Sequence, residues 1–233
     1  MDLRKAAVSL CVILIFMLVA ESCFSAPCYG PAMPKKQGSW ILGYESDFIF
    51  KRDLVEDYGK MRLFQHFFTM SLGIFSWLSI DGKLGIGDVR STGGIYPTVK
   101  YDYGFSGAYG FRVRLLKQDT HKVNLVAGFQ HISVHPPGKN VDSDKNQVIV
   151  DDWQGSVLVS KRMGNFDPYL GVKISECDLI HKLNETGRKR RKSYLSGGVF
   201  LGADYYIRDN VKVNLEGRFI DETAFNCGVA YIF

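Results

Sequence analysis

The sequence predicts an all-β chain, an antiparallel up-and-down transmembrane β-barrel of about ten strands, and three observations predict it. Apolar and polar residues alternate with a period of two through most of the chain. The connections between the alternating segments are themselves alternately short and long. The last stretch interleaves Phe225, Cys227, Val229, Tyr231 and Phe233 with Asn226, Gly228, Ala230 and Ile232, a strand that carries an aromatic row to its end.

The chain has 233 residues, 46% hydrophobic and 23% charged, with 24 Gly, 16 Phe and 12 Tyr against 7 Pro. That composition suits one ordered domain and excludes disorder or low complexity. Mean hydropathy is −0.05, and beyond the N-terminal region no apolar run reaches the roughly 20 residues of a membrane-spanning helix. Alternating strands average to a neutral hydropathy, so a membrane barrel fits both values.

Residues 1–25 read as a secretory signal peptide: Arg4 and Lys5, an uncharged stretch from Ala6 to Ala20, then small residues around Ser22 and Ser25. The apolar stretch is too short for a membrane anchor. The sequence around Cys23 lacks the features of a lipidation box. Residues 26–38 form a short, Pro-containing periplasmic lead, and 39–233 the barrel. The cysteines left after the signal, Cys28, Cys177 and Cys227, are too few and too far apart for a disulfide framework or a metal site. A Cys28–Cys177 pairing stays open, and no cofactor is implied.

Ten segments follow, at 39–50, 62–74, 77–89, 101–116, 122–134, 149–162, 167–178, 194–207, 211–220 and 224–233. Val211, Val213, Leu215 and Phe219 against Lys212, Asn214, Glu216 and Arg218 show the pattern most plainly. Short turns fall at 75–77, 117–121, 163–165 and 208–210, and longer polar connections at 51–61, 90–100, 135–148 and 179–193. Only 221–223 is short out of turn. With the N-terminus in the periplasm, the short turns are periplasmic and the long loops outer.

A soluble lipocalin-like barrel is the structural rival, with its apolar face turned inward. The polar face here carries Gly43, Gly73, Gly85, Gly87, Gly104, Ser106, Ala108, Gly110, Gly128, Gly171, Gly202 and Gly228. Glycine weakens a solvated strand but suits a narrow lumen, which favours the membrane barrel. Trp40, Phe48, Phe50, Trp77, Tyr101, Tyr103, Trp153, Tyr169, Tyr205, Tyr231 and Phe233 lie near strand ends, where interfacial girdles form.

The stretch Leu201–Phe233, LGADYYIRDNVKVNLEGRFIDETAFNCGVAYIF, and the hairpin Leu72–Asp88, LGIFSWLSIDGKLGIGD, resemble small bacterial outer-membrane β-barrels of the opacity-protein and OmpA-like porin type. The resemblance covers essentially the whole mature chain. It implies export across the inner membrane and insertion in the outer membrane by the barrel assembly machinery, which reads a C-terminal aromatic strand, here Phe225, Val229, Tyr231 and Phe233. It implies no particular activity. Many such barrels have eight strands, which makes eight the alternative to ten.

With the polar face inward, the lumen collects Glu45, Asp47, Asp81, Asp152, Asp204 and Glu216 against Lys83, Arg112, Arg114, Arg162, Lys173, Lys212 and Arg218. Confined charges must pair, so these residues are expected to form a salt-bridged plug, leaving at most a narrow porin-like channel. Arg188, Lys189, Arg190, Arg191 and Lys192 form a basic run in the longest outer loop. On a secreted barrel its expected partner is lipopolysaccharide phosphate, an acidic glycan or another surface rather than nucleic acid, with a solvated loop that has no partner as the equal alternative; the barrel itself is expected to sit in outer-membrane lipid and lipopolysaccharide. The acids Asp142, Asp144, Asp151 and Asp152 lack an ordered ligand spacing, so no metal is assigned. The functional expectation is a non-enzymatic outer-membrane protein. The alternative is an outer-leaflet lipid or peptide hydrolase using His131 and Ser133, or Asp151 and Asp152. Asn184-Glu185-Thr186 matches a glycosylation sequon, which in a bacterial barrel is accidental.

Overall fold

The computed structural model describes residues 30–55, 58–93, 98–141, 143–184 and 186–233. The expected signal segment, Cys28 and Asp142 lie outside the described residues. The elements are β1 (Trp40–Asp53), β2 (Lys60–Phe75), β3 (Leu78–Thr92), β4 (Val99–Leu116), a single helical turn α1 (Gln118–His121), β5 (Asn124–His135), β6 (Lys139–Val141), β7 (Asp144–Ser160), β8 (Phe166–Leu183), β9 (Thr186–Lys192), β10 (Gly197–Arg208), β11 (Val211–Phe219) and β12 (Thr223–Ile232).

All the strands except β6 and β9 form one closed antiparallel ring. β1 meets β12 from Ile41 opposite Ile232 to Lys51 opposite Thr223, and β7 meets β8 from Val150 opposite Leu179 down to Ser160 opposite Tyr169. The barrel therefore has the expected ten strands, not eight. Strand bounds agree with the periodicity to within three residues, except that β7 begins and β8 ends five residues further out. Those overruns rise beyond the rim. β6 pairs with the top of β7 and β9 with the top of β8, so the connections expected as loops at 135–148 and 179–193 are largely a four-stranded projection, β6-β7-β8-β9. Below it β8 pairs with β10, as far as Ile174 opposite Gly197.

Burial settles the direction of the faces. Leu84 is 62% exposed and Val172 59%, whereas Arg218 and Asp204 are 0% exposed. A barrel with charges inside and a continuous outer belt of Ile80, Leu84, Leu170, Val172, Leu201 and Leu215 is a membrane barrel, not a lipocalin-like one. The C-terminal row Phe225, Val229, Tyr231 and Phe233 faces outward. The small residues of the inner face have steric reasons to be small: a Cβ on Gly171 would come within 2.1 Å of the Phe200 ring.

Three features correct the sequence reading of the faces. Tyr101 and Tyr169 belong to no girdle, for both point inward and are buried. At Tyr101 the cause is a bulge that sets Gly87 opposite Gly104 but Val89 opposite Tyr101, shifting the parity of β4. The outer part of the lumen is also apolar, a core of Met61, Leu63, Phe67, Ile132, Val134, Val148, Val150 and Leu179. There the strands are apolar on both faces, as in Val148-Ile149-Val150, so a two-residue period cannot reveal the inner one.

Candidate functional site

Eleven of the thirteen charges expected in the lumen are buried in the barrel, and three further residues join them. Arg52, at the outer end of β1, donates from Nη1 to Asp152 Oδ2 at 2.6 Å and from Nη2 to Ser175 Oγ at 2.6 Å and Asp221 Oδ2 at 3.0 Å. Lys173 Nζ lies 2.9 Å from Asp221 Oδ2 and 2.5 Å from Glu222 Oε1. Arg218 joins Glu222 Oε1 at 2.7 Å to Asp47 Oδ1 at 2.6 Å. Tyr169 donates its hydroxyl to Glu216 Oε2 at 2.9 Å. The result is one buried network holding strands β1, β7, β8, β11 and the β11–β12 turn across the lumen. Arg52, Asp221 and Glu222 were invisible to periodicity because the alternation ends before them: Arg52 lies at the outer end of β1 past Phe50, and the other two lie in the short turn 221–223.

Nearer the periplasmic end are two more knots. Arg112 grips Asp81 with Nε at 2.9 Å and Nη2 at 2.8 Å, the bidentate geometry that makes arginine–carboxylate pairs strong. Lys212 holds both Asp204 oxygens at 2.8 and 2.9 Å, and Asn214 adds a bond to Oδ1 at 2.8 Å. Lys83 is paired with Glu45. Arg114 and Arg162 stand at the mouth by the short turns and not in the buried network: Arg114 donates to the Ser76 carbonyl at 2.9 Å, and Arg162 stacks on the buried Tyr206 at 3.7 Å. Arg114 lies near the end of β4, and Arg162 follows β7, which ends at Ser160.

The lead enters the barrel. Gly30 through Pro34 are buried, and Arg112 Nη1 donates to the carbonyls of Gly30 at 3.0 Å and Ala32 at 2.7 Å. Met33 packs in a cluster with Val126, Leu158, Tyr169 and Phe200. Gly30 has φ +70°, and a Cβ there would meet Asn214 and Asp204 within 3.2 Å, so only glycine suits this passage. A run of Gly, Pro and Ala has no period, which is why the sequence showed a linker and not a stopper.

On the outer surface, the hydrolase candidates separate. His131 Nε2 is bonded to Asp151, while Ser133 Oγ lies 2.7 Å from His135 Nε2. Asp152 points the opposite way from Asp151, into the lumen network. His131 packs between Trp153, 4.1 Å between centroids, and Tyr109, 5.1 Å. Among the described residues no serine, histidine and carboxylate line up through one imidazole, the relay that activates a serine.

The basic run is a strand, not a loop. β9 turns back on β8 at Asn184, which holds φ +46° and accepts the Lys145 N–H at 2.8 Å on its side-chain oxygen. Asparagine tolerates that left-handed conformation. Arg190 then pairs with Asp178 at 3.0 Å, Lys192 with Glu176, and Arg191 lies over the Tyr58 ring at 4.2 Å. Next to them a cavity of about 220 Å³ opens on the outward face, lined by His135, Pro136, Ile149, Ile180, Lys182 and Arg188 among others. On the other face of the projection, beyond the last β5–β7 pair at Val134 and Val150, burial and then Lys189 hold the His181 imidazole below its ordinary pKa.

No known family pattern and no curated relative matches this chain. Among solved structures it is similar to the translocator domain of autotransporter NalP from Neisseria meningitidis, at 11% identity over 99% of this chain and 98% of that chain, with a TM-score of 0.46. It is also similar to the outer membrane protein OprG from Pseudomonas aeruginosa, at 10% identity over 86% and 98%, TM-score 0.45. A third similarity is to the outer membrane protease OmpT from Escherichia coli, at 14% identity over 89% and 99%, TM-score 0.40.

Proposed function

We propose that this chain is a non-enzymatic bacterial outer-membrane barrel of the opacity-protein type, closed through its lumen, that works through the projection it raises on the cell surface. The observation that carries the reading is the double closure of the lumen: a buried ion-pair network across its middle and the lead lodged in its periplasmic mouth. Ten strands enclose little space to begin with, and ion pairs spanning it favour a closed lumen. In this reading residues 1–25 direct export, the assembly machinery reads the outward row ending at Phe233, and the partners are outer-leaflet lipid and lipopolysaccharide. Neither cofactor nor metal takes part.

Liposome swelling tests the reading. Vesicles carrying the folded chain should exclude arabinose as well as protein-free vesicles do; rapid swelling would replace this proposal with a narrow porin. The hydrolase alternative has its own measurement: vesicle phospholipid and a fluorogenic peptide should both stay intact in the protein's presence, and turnover lost in His131→Ala would establish the enzyme instead.

A further inference from the structure

Charge on the projection is distributed in a way that pairing alone does not account for. Going up the β8–β9 ladder, Lys192 meets Glu176 and Arg190 meets Asp178. The next position on that face breaks the rule. Lys182 and Arg188 stand directly opposite each other, two cations side by side, and among the described residues neither has a carboxylate partner. Like charges in that position cost stability. They also line the 220 Å³ cavity, together with His135, Gln147 and the apolar Pro136, Val148, Ile149 and Ile180.

Apolar side chains beside two cations that have no carboxylate partner among the described residues are complementary to a ligand that is apolar on one side and anionic on the other. The position narrows it further. The cavity lies on the lipid-facing side of the barrel, not over the lumen: His135 shares the outward face of Ser133, and its cross-strand neighbour Phe105 is in the exposed belt. A molecule there is in reach of the outer headgroups. We propose that the cavity binds the phosphorylated sugar headgroup of an outer-leaflet glycolipid, with Lys182 and Arg188 on the phosphate and a sugar face against Ile149 and Ile180. Two charge-assisted contacts on one phosphate fix its position, and sugar rings present the aliphatic C–H face that such side chains accept. The proposal deepens the surface reading above and rests on the outward orientation of the projection, but not on whether the lumen conducts.

The full chain, folded in zwitterionic detergent, is titrated with diphosphoryl lipid A, with the same lipid A stripped of both phosphates, and with inorganic phosphate, and bound lipid is counted by native mass spectrometry. One diphosphoryl lipid A should bind saturably, and the Lys182→Gln, Arg188→Gln double variant should weaken it by about tenfold to a hundredfold, as expected for losing one or two charged hydrogen bonds. Lys161→Gln, Arg208→Gln, two exposed cations at the periplasmic rim, should leave it unchanged. Equal binding by the double variant, verified as folded by its heat-modifiable gel mobility, overturns the site. Equal binding of the stripped lipid shows an apolar contact only, and displacement by phosphate at comparable concentration shows a soluble-anion site; either result also overturns it. Swelling of arabinose-loaded vesicles with lipid binding intact would remove the closed-lumen reading and leave this one standing.

Discussion

The lumen and the outer projection of this protein are both dense in charge, and they treat it differently. Inside, Arg52, Lys173 and Arg218 are fully buried and each touches at least two carboxylates. On the projection the pairs are half open to water, with Arg190 63% and Lys192 64% exposed, and Lys182 and Arg188 face each other with no carboxylate partner among the described residues. The difference lies in solvation. A buried ion without a partner loses several kcal/mol of hydration, so the lumen enforces pairing; at the surface water does that work, and charge is free to serve recognition.

The comparison breaks first at Arg218. Replacing it with methionine leaves Asp47 and Glu222 short of a buried partner and should cost about 3–5 kcal/mol, read as a fall in the urea midpoint of the folded barrel in lipid vesicles. A loss under about 1 kcal/mol, the size of a surface pair, would mean that water reaches the lumen. Phe200, wholly buried on Met33 and Tyr169, is the apolar control. Phe200→Ala should lose about 3–5 kcal/mol through the cavity it leaves.

Removal of the lead comes next. Deleting residues 26–34 strips Arg112 Nη1 of the Gly30 and Ala32 carbonyls, while the Asp81 pair remains. The expected cost is about 1–3 kcal/mol for the unsatisfied donor, together with faster entry of small ions at the periplasmic end. Smallest is the projection's own pair: Lys192→Gln should change stability by less than about 1 kcal/mol.

Acid sharpens the contrast without a mutation. The His181 ring, 3.1 Å from the Asn146 side-chain oxygen, prefers to stay neutral in the folded projection. The unfolded segment takes up its proton first as pH falls below the ordinary histidine value of about 6.5, so the projection loses stability on that side and keeps it above. Limited proteolysis of barrels in lipid should cut within β8–β9 faster at about pH 5 than at about pH 7.5; equal rates would remove His181 from the account.

What the sequence could reveal follows from the same physics. Wherever one face meets lipid and the other a crowded lumen, the period is strict, and strands such as β11 and β12 are legible residue by residue. Legibility fails where that contrast fails. β9 is a row of cations that becomes a strand through its partners on β8, so no apolar period announces it. Val148 to Val150 is apolar on both sides because the upper lumen is itself apolar. The thirteen expected lumen charges were found from alternation, and all but Arg114 and Arg162 are buried in the barrel. Arg52 was missed because it lies at the end of β1 past the alternating stretch, and Asp221 and Glu222 because burial of a turn depends on where the chain folds back, which alternation does not encode. The lead's role as a stopper rests on contacts across more than eighty residues of sequence, between Gly30 and Arg112, and no local pattern carries that.

Single-channel recording in a planar bilayer tests the central claim, that paired charge closes this barrel. With insertion verified by protease protection, the intact chain should give no discrete openings, and the Arg218→Met barrel, if it remains folded, should give small ones. Steady unitary openings from the intact chain would contradict the account, in which the Arg52, Lys173 and Arg218 network blocks the lumen.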